Sequence, residues 1–474
     1  MEYMEHHTKH EFGKKLISLV LPIAFQQFML ALVSASDAIM LGFIDQNALS
    51  AVSLAGQVQF VLNLFFGAMT IGTSIFAAQY WGKGDRQTIE RLLAIVLRVS
   101  AAVSFLFFVA ATFLPEQIMR ILTSDAGLIA GGTEYLKTVA LSYFLCGISQ
   151  IYLCIMKNCG HATKSMVISS VAVVLNLLLN AVFIFGLLGA PRLEIAGAAL
   201  ATVLARAVEL LWSLADSMKK DSIKLRLSHL VHTDKALRRD FWKYTLPVLG
   251  NELVWGCGFS MSSVVMGHMG ADAVAANSIA NIVRNLVVCF CLGLASGGGI
   301  MVGNELGAGK LQLARLYGQK LCKLALVSGI ISGLFLLAIT PLILAMVNVS
   351  AQAGYYLQWM LIMCSYYMVG KSVNTTTIGG IFCAGGDSKF GLHCDIIVLW
   401  CIVVPLGLIA AFVLHLPVLV VYCILNLDEI IKLPAAYRHY KLYLWVRDLT
   451  VRSEARQAEE PEALQEDKKS GIEV

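Results

Sequence analysis

Apolar runs of roughly 20 residues recur along almost the whole chain, and nothing else in the sequence constrains the fold as much. A helix needs a run of about that length to cross the hydrocarbon of a bilayer. With 58% hydrophobic residues, 14% charged residues and a mean hydropathy of +0.72, the chain does not read as an ordinary soluble domain. Segmentation gives twelve spans: 15–41, 50–80, 92–114, 132–157, 163–189, 195–217, 240–268, 276–305, 318–343, 352–382, 390–413 and 417–440. The polar start MEYMEHHTKHEFGKK runs into the first apolar segment without an A-x-A cleavage pattern, so that segment is expected to be a retained helix.

Alternate loops differ in basic residues. Lys9, Lys14 and Lys15 precede the first span, and GKGDRQTIER (82–91), KNCGHATK (157–164), the connector 218–240 and GKLQLAR (309–315) all carry Lys or Arg. The intervening loops GFIDQNAL (42–49), MGADAV (269–274) and LAMVNVSAQAG (344–354) carry none, and only Arg120 and Arg192 break the alternation. Positive-inside bias then puts both termini in the cytoplasm. The stretch from 447 to 474 reads as a charged cytoplasmic tail, and from 453 it loses its hydrophobicity entirely.

The chain also repeats itself. LPIAFQQ begins at Leu21 and LPVLGNE at Leu246, which sets Pro22 and Pro247 225 residues apart. At that same offset Gly42 falls on Gly267, Ala48 on Ala273 and Ser53 on Ser278. QYWGKG (79–84) falls on NELGAG (304–309), and GHATK (160–164) on GGDSK (385–389). Six spans plus six, both sets starting from the same side, make a parallel repeat related by an axis along the membrane normal. The expected fold is therefore an all-α membrane protein of two six-helix bundles around a central cleft. The lobes are 1–217 and 240–440, with 218–239 as the cytoplasmic connector and hinge. Glycines in GLASG (293–297) and GIMVG (299–303) suit close helix packing.

The twelve cysteines are scattered singly through apolar segments and read as buried thiols. No Walker motif, HExxH or zinc pattern is present, so neither ATP nor a metalloenzyme chemistry is expected.

Four stretches in order resemble the multidrug and toxic compound extrusion family over about residues 12–440. They are a first helix with Pro22 and then Asp37, AAQYWGKGD (77–85), NLLLNAVFIFGLLGAPRLEIAGAALATVLAR (176–206) and GGIFCAGGDSKFGLHCDIIVLW (379–400). The resemblance implies a monomer in the bacterial inner membrane. It would export organic cations and other amphiphiles by rocker-switch alternating access, in exchange for H⁺ or Na⁺, with no bound cofactor, no enzymatic activity and no nucleic-acid partner. A lipid-linked precursor flippase of the same superfamily is the alternative, and it would need a strongly cationic cavity.

Asp37 is the first candidate residue, because a carboxylate inside hydrocarbon costs about 2.5–3.5 kcal/mol on insertion scales. Asn176 and Asn180 share a face of the fifth span, and Thr202 sits on the sixth. The resemblance implies that these four form the ion-coupling site, with proton loading or a sodium ion held at Asp37, Asn176 and Asn180 left open. Some family members carry an acid where this chain has Asn180. Gln26 lies three turns from Asp37 on the same face. Glu252 is the second intramembrane acid, and Trp255 stands one turn on, placed to present its ring to a cation. Arg284 and Lys371 lie deep in the eighth and tenth spans, so one of them is expected to pair with Glu252. Gln26, Glu252, Trp255, Arg284 and Lys371 together are the expected substrate cavity. Asp395 reads as a capping or connector-binding acid, and Asp428, Glu429 and Lys432 as residues snorkelling to the interface.

Overall fold

The computed structural model describes residues 2–42, 46–219, 222–226, 229, 234–347 and 349–451, with the side chains of 2–10, 34, 35, 37–39, 41, 42 and 46 outside that description. The described residues are helical almost throughout. The first half comprises α1 (Glu2–Gly42), α2 (Gln46–Lys83), α3 (Arg86–Phe113), the short α4 (Pro115–Leu122), α5 (Ala126–Asn158), α6 (Ala162–Phe185) and α7 (Glu194–Ser217). The second comprises α8 (Lys235–Gly267), α9 (Ala271–Gly307), α10 (Leu311–Met346), α11 (Ala351–Asn374), α12 (Lys389–Asp395), α13 (Val418–Leu425) and α14 (Asp428–Lys441). Helix α11 continues through wider i→i+5 turns over Thr375–Phe382, and α12 runs on in helical and wide turns to Val413.

Nine helices among the described residues are long and apolar enough to cross a membrane. The other three expected spans are helical but more polar. They are α8 with Glu252, the passage 351–382 with Lys371, and the pair α13–α14, interrupted at residues 426–427, with Asp428, Glu429 and Lys432. Helix starts follow local chemistry. Asp85, Asp125, Asp234 and Ser350 each accept a hydrogen bond from the backbone N–H three residues on, satisfying a donor that the first turn leaves open.

The two halves meet along α1, α2, α8 and α9, where α1 packs on α9 and α2 on both α8 and α9. The contacts obey the 225-residue offset of the sequence repeat. A Cβ on Gly82 would overlap the carbonyl of Asn304, and a Cβ on its mate Gly307 would overlap the carbonyl of Gln79, the mate of Asn304. Gly72 packs on Thr245, and the matching pair is Gly297 on Val20. Gly303 meets Ala78, its own mate, so the approximate two-fold axis passes between them. Backbones approach this closely only where Cβ atoms are missing, and dispersion at such contacts is what holds helices together in lipid.

This seam lies at the end of the molecule that carries the basic loops. There the segment after α14 crosses beneath it. Trp445 is fully buried, its carbonyl lies against Gly385, and Gln79 holds the segment through Leu449 N (2.7 Å) and Arg447 O (3.2 Å). Residues 447–451 are therefore packed chain, with Leu449 and Thr450 buried, and not the start of a solvated tail; residues 452–474 lie outside the described residues. Parts of the connector also lie outside them. Its described residues are tied to α3 by Arg226–Glu90 at 2.8 Å, Arg91–Asp234 at 3.6 Å and a hydrogen bond from Arg98 to the His229 carbonyl at 2.9 Å.

Gly82→Ala and Gly307→Ala are each expected to lower the thermal stability of the purified protein, by roughly 1–3 kcal/mol of overpacking. Gly56→Ala, whose Cβ would meet nothing within 4 Å, is expected to melt like the wild type. Equal melting of all three variants would show that the seam does not hold the halves together.

Candidate functional site

Two polar clusters lie inside the helical layers, one in each half. In the first half, α6 turns Asn176 and Asn180 to the same side because they are four residues apart. Asn180 Nδ2 donates to Asn176 Oδ1 at 3.3 Å, and Asn176 Nδ2 donates to Thr202 Oγ1 on α7 at 3.3 Å. Thr202 is itself fixed by donating to the Ala198 carbonyl at 3.0 Å. The structure thus brings together three of the four expected coupling residues as a chain of neutral oxygens and amides, with Asn180 fully buried. Helix α1 packs against α6. The side chain of Asp37 lies outside the described residues, so its distance to this cluster is not part of the geometry. Gln26, on the same helix, is buried, and its Oε1 has no hydrogen-bond partner among the described residues. A buried, unpartnered acceptor is costly to keep.

The first half holds a further charged group that the sequence analysis passed over. Glu209 on α7 is completely buried, receives Ser149 Oγ at 2.6 Å and pairs with Arg206 at 2.8 Å. The signal was an Arg and a Glu three apart in an apolar span, which is the spacing of an ion pair on one helix face.

In the second half the charges pair otherwise than expected. Lys371 Nζ bonds Glu429 Oε1 at 3.1 Å, not Glu252. Glu429 Oε2 receives Asn374 Nδ2 at 2.8 Å, and the same amide reaches the Glu429 carbonyl at 2.6 Å. Lys432 is buried between Asp395 at 2.7 Å and Asp428 at 3.2 Å. These residues are buried and do not snorkel to the interface, and among the described residues Asp395 makes no capping hydrogen bond. They form a buried ionic knot joining α11, α12 and α14, because Glu429 and Lys432 on one turn of α14 find opposite charges on the helices it packs against, and Lys432 also holds Asp428 of its own helix. Arg284 donates to Asn426 Oδ1 at 2.9 Å and lies over the Tyr367 ring at 5.0 Å.

Glu252 is left outside this knot. It has no ion pair or hydrogen bond among the described residues, and it points across the seam at α2, where a Cβ on Gly67 would stand 3.3 Å from its Oε2. One turn on, Trp255 stacks on Phe259 with the rings 16° apart and takes Lys371 over its face at 5.3 Å. Phe259 in turn meets Phe60 of the first half, centroids 6.1 Å apart. Glu252, Trp255 and Lys371 are therefore neighbours at the inter-half cleft. Arg284 sits deeper, in a pocket of the second half that Trp255 and Phe259 also line. All twelve cysteines are unpaired. Among the described residues no cluster of His, Cys, Asp and Glu is arranged to hold a metal ion.

A family model described as MatE matches the chain twice, over residues 22–182 and 247–432. The two matches begin at the prolines of the internal repeat. The chain is 21% identical to an uncharacterized transporter, YisQ, of Bacillus subtilis over 91% of its length and 95% of the relative's. It is 25% identical to a probable multidrug resistance protein, NorM, of Thermotoga maritima over 65% of its length and 66% of the relative's. Among solved structures it superposes on a MOP-superfamily transporter from Pyrococcus furiosus, described as having a binding pocket of reverse polarity. That match has a TM-score of 0.83 at 18% identity, covering 91% of this chain and 96% of the other.

Glu429→Ala would strand Lys371 in the interior, and breaking a buried pair in this way costs about 3–5 kcal/mol. It is expected to lower the melting temperature sharply, whereas Glu252→Gln, which breaks no ion pair, is expected to leave it near wild type. A melting comparison in the same detergent checks both; a large loss from Glu252→Gln alone would place Glu252 in the structural knot.

Proposed function

The chain belongs to the MatE family, and from that premise we propose that it is a secondary transporter exporting small amphiphilic molecules, organic cations among them, across the membrane in exchange for H⁺ or Na⁺. The observation that carries this reading is the seam. Two repeat-related halves touch through glycine-on-carbonyl contacts about one approximate two-fold axis, and the contacts are concentrated at the basic-loop end. Such contacts are short-ranged and involve no net charge on either partner, so they can part as a unit when one half rocks against the other. A probable multidrug resistance protein among the relatives supports drug-like substrates.

In this reading all twelve helical passages span the bilayer, residues 1–217 and 240–440 are the two moving lobes, and the basic-loop end with both termini faces the cytoplasm. The conformation is closed at that end. Asp37 is the coupling carboxylate, and Asn176, Asn180 and Thr202 supply the oxygens around it, whether it loads a proton or holds a sodium ion as the transported partner. A hard cation such as sodium binds oxygen donors, and the Asn176–Asn180–Thr202 chain offers them with no competing base within it. Gln26, whose Oε1 has no described partner, is a further oxygen on α1. Glu252 meets the substrate at the cleft beside Trp255, because it is an acid that faces the other half without a counter-charge bonded to it. A cation entering between Glu252 and the Trp255 ring would gain both charge pairing and a cation–π contact. The protein acts as a monomer, since one chain already supplies both sides of the cleft.

Ethidium transport in proteoliposomes, with a pH gradient and a sodium gradient imposed separately, tests the reading. One of the two gradients is expected to drive dye movement in the wild type and to fail in Asp37→Asn. Transport that survives the substitution would move the coupling role to Glu252. No transport under either gradient would refute the antiport reading.

A further inference from the structure

The packed end of the chain breaks the symmetry of the repeat. At the 225-residue offset the segment 442–451 corresponds to 217–226, where the connector begins, and Gln79 of α2 corresponds to Asn304 of α9. The two mates are used differently. Gln79 is fully buried, and both ends of its amide bind chain that belongs with the second half. Its Nε2 donates to the Ala384 carbonyl at 2.7 Å and the Arg447 carbonyl at 3.2 Å, and its Oε1 accepts from Leu449 N at 2.7 Å. Asn304 Oδ1 is buried without a hydrogen-bond partner among the described residues. An acceptor that is bonded on one side of the approximate axis is left open on the other.

Segment 442–451 is rooted in the second half. The fully buried Trp445 stacks on Tyr440 of α14 at 5.7 Å, and its ring lies against Gly318 of α10, where a Cβ would stand 2.7 Å from it. Arg315 of α10 lies over the Tyr443 ring at 3.4 Å. From that anchor the chain runs to Arg447 and Leu449, whose backbone meets Gln79 of the first half. The Leu449 side chain is buried in the hydrophobic cluster that contains Phe76 and Tyr80 of α2. This arrangement carries two costs. Tyr443 sits in the left-handed region at φ +51°, where a residue with a Cβ is disfavoured, and Trp445 Nε1 is buried with no partner among the described residues. A segment held against such costs can let go while the helices around it stay folded.

We propose that segment 442–451 is a latch that closes the basic-loop end of the transporter, with Trp445 as its anchor in the second half and Gln79 as its catch in the first. When α2 parts from α9 at this end, Gln79 leaves with the first half, while Ala384, Arg447 and Leu449 stay with the second. Opening therefore breaks all three side-chain hydrogen bonds of Gln79. A buried hydrogen bond that opening must break favours the closed state by its net contribution, about fivefold in the equilibrium for an average bond. The latch thereby sets how often this end opens, separately from any effect of ion or substrate at the cleft. The assignment rests on the transport reading above, in which the halves rock, and its test is a distance measurement that needs neither gradient nor substrate.

Twelve native cysteines make thiol labels ambiguous, so spin labels are coupled to an azide-bearing phenylalanine placed at Gln87 and at Lys310, exposed positions on opposite halves at this end. Pulsed dipolar spectroscopy of the full chain in lipid nanodiscs then gives the distribution of separations. The wild type is expected to populate mainly the short distance. Gln79→Met, which keeps the length of the side chain and loses its hydrogen bonds, is expected to raise the ratio of long to short distances by about fivefold or more. A chain ending at Lys441 is expected to do the same. A chain ending at Val451 keeps the latch and is expected to match the wild type. Melting curves identify which variants fold, and either latch variant that folds is sufficient. An unchanged distribution in a folded latch variant would overturn the proposal. So would the same shift in the chain ending at Val451, because it would assign the effect to the residues beyond the latch. Gradient-driven ethidium transport by the wild type alongside an unchanged distribution would leave the antiport reading standing while removing the latch.

Discussion

The contact on which the arrangement of the halves depends is the reciprocal one between glycine and carbonyl at the basic-loop end. Gly82 lies against Asn304, Gly307 against Gln79, and Gly303 against Ala78 on the axis between them. In lipid there is no hydrophobic gain in bringing two apolar helices together, so association depends on how closely the surfaces fit. Removing Cβ atoms at repeat-related positions lets α2 and α9 approach to backbone distance. Everything nearer the middle of the molecule follows from that approach. Leu64 reaches Gly256, Glu252 comes against Gly67, and Phe60 meets Phe259 because the helix pairs diverge from a fixed point.

The segment 442–451 belongs to the same constraint. Gln79 is part of the glycine contact through its carbonyl, and its side chain binds the Ala384 and Arg447 carbonyls and the Leu449 N–H. One residue thereby couples the seam, the loop after the wide turns of α11 and the end of the packed chain. Any rocking motion that parts Gly307 from Gln79 must also change the hold of Gln79 on this strap. The described residues of the connector are bound to α3 of the first half through Arg226 and Asp234.

The buried ionic groups divide into two classes with different consequences. Lys371 pairs with Glu429, and Lys432 bridges Asp395 and Asp428, one ammonium between two carboxylates, so each of these charges has an opposite charge within hydrogen-bonding distance that offsets its desolvation. Glu252 and Arg284 lack such partners. Among the described residues neither has an opposite charge within hydrogen-bonding distance, although Lys371 lies near Glu252 and Asp428 shares the pocket wall with Arg284. Residues that do chemistry in transport are expected among groups of this kind, and not within the knot.

Much of the architecture was legible in the linear chain. Hydropathy located the helices, since a bilayer demands apolar length. The 225-residue offset held because both halves place glycine and proline at the same positions, and the contacts across the axis obey it. Asn176 and Asn180 could be paired by helical spacing, whereas Thr202 was joined to them only through the family resemblance. The pairing of charges could not be read in this way. Lys371 lies 58 residues from Glu429, and the choice of Glu429 over Glu252 depends on which face of α11 turns toward α14. Hydropathy periodicity does not report that rotation when a helix is apolar all round. Sequence by itself therefore determined the helices, the repeat and the residue types buried among them. Only the tertiary structure decided which buried charges are neutralised and which are left open, because a salt bridge forms over about 3 Å while helix position is known from sequence only to within several.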